Sequence, residues 1–245
     1  MLLTEKLEND VYSMDVRVGF EECDSSLTMK PADFLKYIIR TAGFHYALRG
    51  VPHKMMYDHG QVFVLSKLNL KIEKLPSYGD KITVYTWERK NESVYALRDY
   101  EVRSEEGELL GAATSNWIII NPHTRSILRP SAFDLCDYRP LEKSSGCKPC
   151  GKIKPDTECP LIDKRQVRFS DTDANGHLHS AFYAYFVTDA LSSRTEQKPI
   201  EFEINFIKEA CAGDLLELYA KDNGESVTVT AVNGNTTCFT ARITY

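Results

Sequence analysis

The sequence predicts an α+β fold in which one module is used twice. Three observations carry this. A long amphipathic helix follows a short strand near the N-terminus. A series of β-branched and aromatic segments, separated by hairpin turns, follows that helix. The same order of elements then returns after a proline-rich stretch in the middle of the chain.

Taken in order, Val16, Val18 and Phe20 alternate, which reads as a strand within 11–22. Pro31 suits the first position of a helix, where a missing N–H costs no hydrogen bond. Behind it Phe34, Leu35, Ile38, Ile39, Ala42 and Tyr46 recur every three or four residues, an apolar helical face that Gly50-Val51-Pro52 ends. Residues 61–74 alternate through Val62, Val64, Leu68, Leu70 and Ile72, and Pro76-Ser77-Tyr78-Gly79-Asp80 is a turn. Segments 81–88, 94–103 and 109–120 read as strands, with hairpin turns at Lys90-Asn91-Glu92 and Glu105-Glu106-Gly107.

Residues 122–163 hold six of the ten prolines and four of the seven cysteines, so they read as a linker between modules at 1–121 and 164–245. Beyond it the pattern predicts a strand over 164–170 and a helix over 180–192, with Phe182, Tyr185, Phe186 and Ala190 on one face. Strands are expected near 200–207, 214–221, 226–232 and 236–244. With Phe20 set on Phe169, Asp24 falls on Asp173 and Pro31-Ala32 on Ser180-Ala181. Gly79-Asp80 likewise matches Gly213-Asp214. A long apolar helix followed by a twisted antiparallel sheet buries itself when the sheet wraps the helix. The expected architecture is therefore a double hot dog, with two separate α+β domains as the alternative.

Of the 245 residues, 42% are hydrophobic and 27% charged, an ordinary globular balance. Thirty basic against 35 acidic side chains leave a net charge of −5, which offers nothing to a phosphate backbone, so nucleic acid is not an expected partner. No apolar run approaches the ~18 residues of a spanning helix, so no membrane partner is expected. The opening MLLTEKLENDVYSMD lacks the basic and apolar regions of a signal peptide, and the cysteines are odd in number and scattered. The expected location is cytoplasmic.

The two copies differ where chemistry could sit. The second strand-to-helix loop reads Ser170-Asp171-Thr172-Asp173-Ala174-Asn175-Gly176-His177-Leu178-His179-Ser180, whereas the first copy has Ser26 at the place of Asn175 and Thr28 at that of His177. Asp, Asn and His thus alternate just before a helix, whose start offers unpaired N–H groups and the positive end of its dipole. Histidine moves protons near neutral pH, Asn orients a water or a carbonyl, and Asp can fix either. The same residues also suit an ordinary turn. A calcium loop through Asp171, Asp173 and Asn175 lacks the bidentate Glu at its twelfth position. His53, His59 and His123 lie in or beside turns and are expected at the surface, and Trp87 and Trp117 in the core.

In the first half, Tyr78-Gly79-Asp80, Arg98-Asp99-Tyr100, Ala113-Thr114-Ser115-Asn116-Trp117, Asn121 and Thr124-Arg125 occur in that order. The second half adds Asp173-Ala174-Asn175-Gly176-His177-Leu178 and Phe206-Ile207-Lys208-Glu209. Together these resemble the motifs of the acyl-acyl-carrier-protein thioesterases, a family that ends fatty acid synthesis in plants and has bacterial members. The resemblance implies a catalytic set of Asp173, Asn175, His177 and Glu209. It also implies hydrolysis of a fatty acyl thioester held on the phosphopantetheine arm of an acyl carrier protein, with no metal or cofactor. An acyl-CoA thioesterase of the same fold and a non-catalytic acyl-binding protein are the alternatives, and a homodimer is allowed for.

Two departures from the family pattern matter. The family follows its His with Val-Asn-Asn, where this chain has Leu178-His179-Ser180. It often has Cys directly after the Glu, where this chain has Ala210 and then Cys211. A one-residue shift on a strand turns a thiol to the other face, so Cys211 is expected to be a small buried hydrophobe and no nucleophile. Cys136, Cys147, Cys150 and Cys159 hold only one Cys-x-x-Cys, short of the paired ligands zinc prefers, and are expected as reduced thiols. The acyl tail is expected along the first helix, near Phe34, Ile38, Ile39 and the strand over 62–68.

Overall fold

In the computed structural model, which describes residues 4–191 and 199–245, Pro31 opens helix α1 (Pro31–Leu48). Phe34, Leu35, Ile38, Ala42 and Tyr46 form its buried face, packed against strands β2 (Val11–Arg17) and β4 (Lys81–Glu92). The remaining elements of this unit, Met1–Cys150, are β1 (Glu5–Glu8), α2 (His53–Asp58), β3 (Val62–Ile72), β5 (Tyr95–Ser104), β6 (Leu109–Ile120) and β7 (Ile127–Leu128). Its strands run in the order β1-β2-β4-β5-β6-β3, antiparallel throughout, with β7 on β6. Gly111 lets the helix approach the sheet closely: a Cβ there would lie 2.7 Å from the Phe34 ring and 3.0 Å from the Lys71 carbonyl.

The alternation at Val16, Val18 and Phe20 overran its strand. β2 stops at Arg17, and Phe20 lies in a 3₁₀ turn with 69% of its surface exposed, edge-on to Tyr78. Neither β1 nor the short α2 was expected. His53, His59 and His123 are exposed, Trp87 is fully buried and Trp117 is half-buried.

Beneath α1 lies a buried polar cluster. Glu88 accepts hydrogen bonds from the Tyr46 hydroxyl at 2.6 Å and from Arg49 at 3.2 Å, with Arg98 at 3.8 Å. Arg98 donates to Nδ1 of His45 at 2.8 Å. Burial, then the charges of Arg98 and Arg49, push the His45 imidazole down to about 2, so it stays a neutral acceptor.

The second unit, Gly151–Tyr245, comprises β8 (Leu161–Gln166), α3 (Ser180–Ala190), β9 (Glu201–Phe206), β10 (Leu215–Asp222), β11 (Ser226–Asn233) and β12 (Thr236–Thr244). Its strand order is β9-β12-β11-β10-β8, again antiparallel. The expected strand over 164–170 therefore lies earlier, because Phe169–Asp171 is a 3₁₀ turn closed by the Asp171 carboxylate on the Arg168 N–H at 2.8 Å. The buried residues of α3 are Ala181, Tyr183, Ala184, Phe186 and Val187, a face rotated from the expected one. The expected end of that helix, Ser192, lies outside the described residues.

The proline-rich stretch divides between the units. In the first, Ser145 donates to Asp99 and to the Ala113 carbonyl, and Lys143 lies 4.1 Å over the Trp87 ring. Cys147 and Cys150 direct their thiols at carbonyls of different strands, those of Asn69 and Thr114. In the second, the N–H groups of Gly151, Ile153 and Asp156 donate to Glu203, Asn205 and Thr230. Among the described residues, no group of three or more His, Cys, Asp or Glu side chains could hold a metal ion, and no helix is long and apolar enough to cross a membrane.

Candidate active site

The loop from Asp171 to α3 owes its shape to main-chain bonds. Asp173 N–H donates to the His177 carbonyl at 2.8 Å, and Gly176 N–H returns to the Asp173 carbonyl at 2.9 Å. The Asp173 carboxylate accepts the Asn175 N–H at 2.8 Å, an Asx turn. Gly176 sits at φ +77°, a left-handed conformation that glycine adopts without strain. Asp173 therefore braces the loop through the main chain, and Asn175 is exposed at its tip.

From His177 the chain runs extended beside a second segment. Leu178 N–H donates to the Ala210 carbonyl at 2.7 Å, and His177 bridges Cys211. Glu209 reaches this place through an irregular turn after β9, where the N–H groups of Ile207 and Lys208 both donate to the Cys238 carbonyl. Its Oε2 lies 4.0 Å from Nδ1 of His177, with both side chains 33% exposed. Three of the four expected residues thus share one loop, and Glu209 joins them from another segment.

Two neighbours escaped the sequence reading. His179 caps α3, its Nδ1 accepting the Ala181 N–H at 3.2 Å. Tyr183, buried in α3, hydrogen-bonds the Ala210 backbone, and burial drives its hydroxyl well above the usual phenol range. Cys211 is exposed, which corrects the expected buried placement: it makes an isolated bridge to His177 beyond the irregular turn that ends β9, so the alternation of that strand does not carry through to it. Partial desolvation and the carboxylates of Asp214 and Glu209 push its thiol up, away from the nucleophilic thiolate.

The helix start also supplies main-chain donors. Within 176–180, the N–H groups of Gly176, Leu178 and His179 are engaged by Asp173, Ala210 and Asp171. Among the described residues, no protein acceptor takes those of His177 and Ser180.

The first unit repeats this frame, with one addition: the Asp24 carboxylate also accepts the Thr28 N–H at 3.1 Å. Asp24 N–H donates to Thr28 at 2.8 Å, the Asp24 carboxylate accepts Ser26 N–H at 2.8 Å, and Met29 N–H donates to Pro76 at 2.8 Å. Leu27 takes the left-handed place of Gly176 at φ +61°. The side chains differ. The Ser26 hydroxyl folds onto Asp24 at 2.6 Å, Leu75 stands where Glu209 would, and Pro31 replaces Ser180 and has no N–H.

Two family models cover most of the chain: the acyl-ACP thioesterase N-terminal domain over residues 9–132 and the acyl-ACP thioesterase C-terminal domain over residues 155–239. The chain belongs to the acyl-ACP thioesterase family. An oleoyl-acyl carrier protein thioesterase of Arabidopsis thaliana is 25% identical over 142 residues, 53% of this chain and 39% of that protein. A palmitoyl-acyl carrier protein thioesterase of Cuphea hookeriana is 21% identical over 196 residues, 74% of this chain and 46% of that protein. The chain thus spans less than half the length of these curated relatives. Among solved structures, an acyl-ACP thioesterase from Bacteroides thetaiotaomicron matches with a TM-score of 0.88 at 21% identity, over 98% of this chain and 99% of that one. The 12:0-ACP thioesterase from Umbellularia californica matches with a TM-score of 0.81 at 19% identity, over 98% of each chain. These likenesses establish the hot dog fold. Within this acyl-ACP thioesterase family member, the Leu178-His179-Ser180 departure falls at the start of α3, where the imidazole makes the cap.

Proposed function

We propose that this chain hydrolyses fatty acyl thioesters of acyl carrier protein to free fatty acid and the carrier thiol. The observation that carries the reading is the approach of His177 and Glu209 to 4.0 Å beside a helix start with an open N–H. At that separation one water can meet both groups. His177, with Glu209 beside it, takes a proton as the water oxygen attacks the thioester carbonyl. Asn175 orients the water or the carbonyl, and Asp173 keeps its loop in shape. The negative charge on the tetrahedral oxygen falls to the N–H groups of Ser180 and His177, where each well-placed donor is worth ~10²–10³ in rate. Collapse breaks the C–S bond, and the proton passes from His177 to the leaving sulfur. The partner is the acyl carrier protein with its phosphopantetheine arm. Seven free cysteines suit a reducing compartment, and the reading places the chain in the cytoplasm.

A panel of acyl carrier protein and CoA thioesters, with free thiol followed over time, tests the proposal. Hydrolysis of the carrier thioesters with higher kcat/KM is expected. Faster turnover of the CoA series would replace the carrier with CoA. Binding without turnover of either would remove the enzymatic reading.

A further inference from the structure

We propose that His179 is a positioning residue for this reaction, one that aims the Ser180 N–H through its cap on α3; the inference rests on the reading above. Three bonds converge on this one residue. Its N–H donates to the Asp171 carbonyl at 3.0 Å, its carbonyl accepts the Phe182 N–H at 2.8 Å, and its Nδ1 accepts the Ala181 N–H at 3.2 Å. The ring also meets Phe182 edge-on, with centroids 6.1 Å apart. The Ala181 N–H can only donate, so Nδ1 is the acceptor in this cap.

The consequence follows from peptide geometry. The His179 carbonyl and the Ser180 N–H belong to one planar trans unit and point in opposite directions. The bond to Phe182 turns the carbonyl into the helix, so the Ser180 N–H points out of its start. The side-chain cap fixes the same turn from the other end. α1 lacks this device: Lys30 makes no side-chain cap, and Pro31 offers no N–H to aim. The cap and the open donor occur together in the copy that carries His177 and are missing together in the other.

The test compares His179→Ala, which removes the cap, with His179→Asn, whose side-chain oxygen caps equally well. In the full chain, kcat of His179→Ala should fall about tenfold or more with KM within twofold, since a transition-state contact is misaligned and ground-state binding is not. His179→Asn should return kcat to within twofold of the parent. If His179→Ala does not fold, His179→Lys, which copies the start of α1, takes its place. A parent-like kcat in the capless variant, or a loss that His179→Asn does not restore, overturns the proposal. Amide NMR separates this from the activity. The Ser180 and Ala181 N–H resonances should shift in His179→Ala and return in His179→Asn. Unmoved resonances overturn the cap, whereas shifted resonances in a chain that hydrolyses no thioester sustain the cap and overturn the enzymatic reading alone.

Discussion

The Glu209 carboxylate stands 4.0 Å from Nδ1 of His177, held there by a main-chain bridge between His177 and Cys211. The separation is too long for a direct hydrogen bond and short enough for the two groups to act on one water. Each side chain is one-third exposed, so a water can reach the space between them.

His177→Ala, Asn175→Ala and Glu209→Gln should therefore each lower kcat by at least ~10²-fold while the melting temperature moves little. Adding Ser26→Asn and Thr28→His to any of them should restore nothing, because Leu75 stands where Glu209 would. Steady-state kinetics with melting curves checks both statements. Near-parent turnover in folded Asn175→Ala would take that residue out of the mechanism.

Ser180→Pro deletes one backbone donor together with the Ser180 hydroxyl, and Ser180→Ala, which removes the hydroxyl alone, is its control. Proline is welcome at a first helical position, and Pro31 already occupies the matching place in the first unit. The expected result is a folded protein with kcat lowered ~10²–10³-fold, the usual effect of losing an oxyanion donor. Full activity in this variant would move the oxyanion elsewhere.

Cys211 is exposed, but its thiol is pushed up by partial desolvation and by Asp214 and Glu209. Cys211→Ser should keep most of the activity, and quenched turnover should yield no acyl-enzyme. Mass spectrometry that maps an acyl group to Cys211 would reverse the assignment.

His45 makes the fold acid-sensitive. In the unfolded chain its imidazole titrates near 6.5, and in the fold burial and the Arg98 and Arg49 charges hold it down to about 2. The unfolded state binds the proton first as pH falls. The contribution of neutral His45 is thus complete above pH ~6.5 and declines below it by up to ~1.4 kcal/mol per pH unit. His45→Asn, which keeps an acceptor for Arg98 and does not titrate, should flatten urea-unfolding stability between pH 6.5 and 4.5 by nearly one proton. Parallel curves for the two proteins would exclude His45 as the source.

Ala42 lies on the buried face of α1. If that face lines the acyl tail, Ala42→Leu should shorten the preferred acyl chain. About two methylenes at ~0.8 kcal/mol each shift preference roughly tenfold. If the face is sealed core, the same change should cost ~1–3 kcal/mol of stability and leave the product profile alone. Product chain lengths and melting curves on one variant decide between them.

The repeat was legible in the sequence because Asp24 and Asp173, and Gly79 and Gly213, anchor the same main-chain bonds in each unit. Asp173, Asn175 and His177 could be read as one group because they share a loop. Glu209 could not be joined to them by spacing: it follows an irregular turn after β9, where no periodicity points toward His177. Only the family resemblance supplied it. The cap at His179 was hidden because imidazole is not among the usual capping side chains. The face of α3 was misphased for another reason. Every residue from Ala181 to Val187 is apolar, so the pattern carries no angle to read. Phe20 was misplaced because alternation continued past the point where β2 ends.

The doubled frame of main-chain bonds has an evolutionary consequence. Asp24 and Asp173 secure their loops whether or not catalytic side chains decorate them, so the selection that preserves folding is blind to turnover. On the mechanism proposed above, a descendant could lose His177 or Glu209 and persist as a stable, inert homologue with an unchanged backbone. Inventories that infer lipid hydrolysis from architecture alone would count such descendants as enzymes. For this lineage, activity has to be assigned from individual side chains, because the first unit keeps the same frame with Ser26, Thr28 and Leu75 at the matching positions.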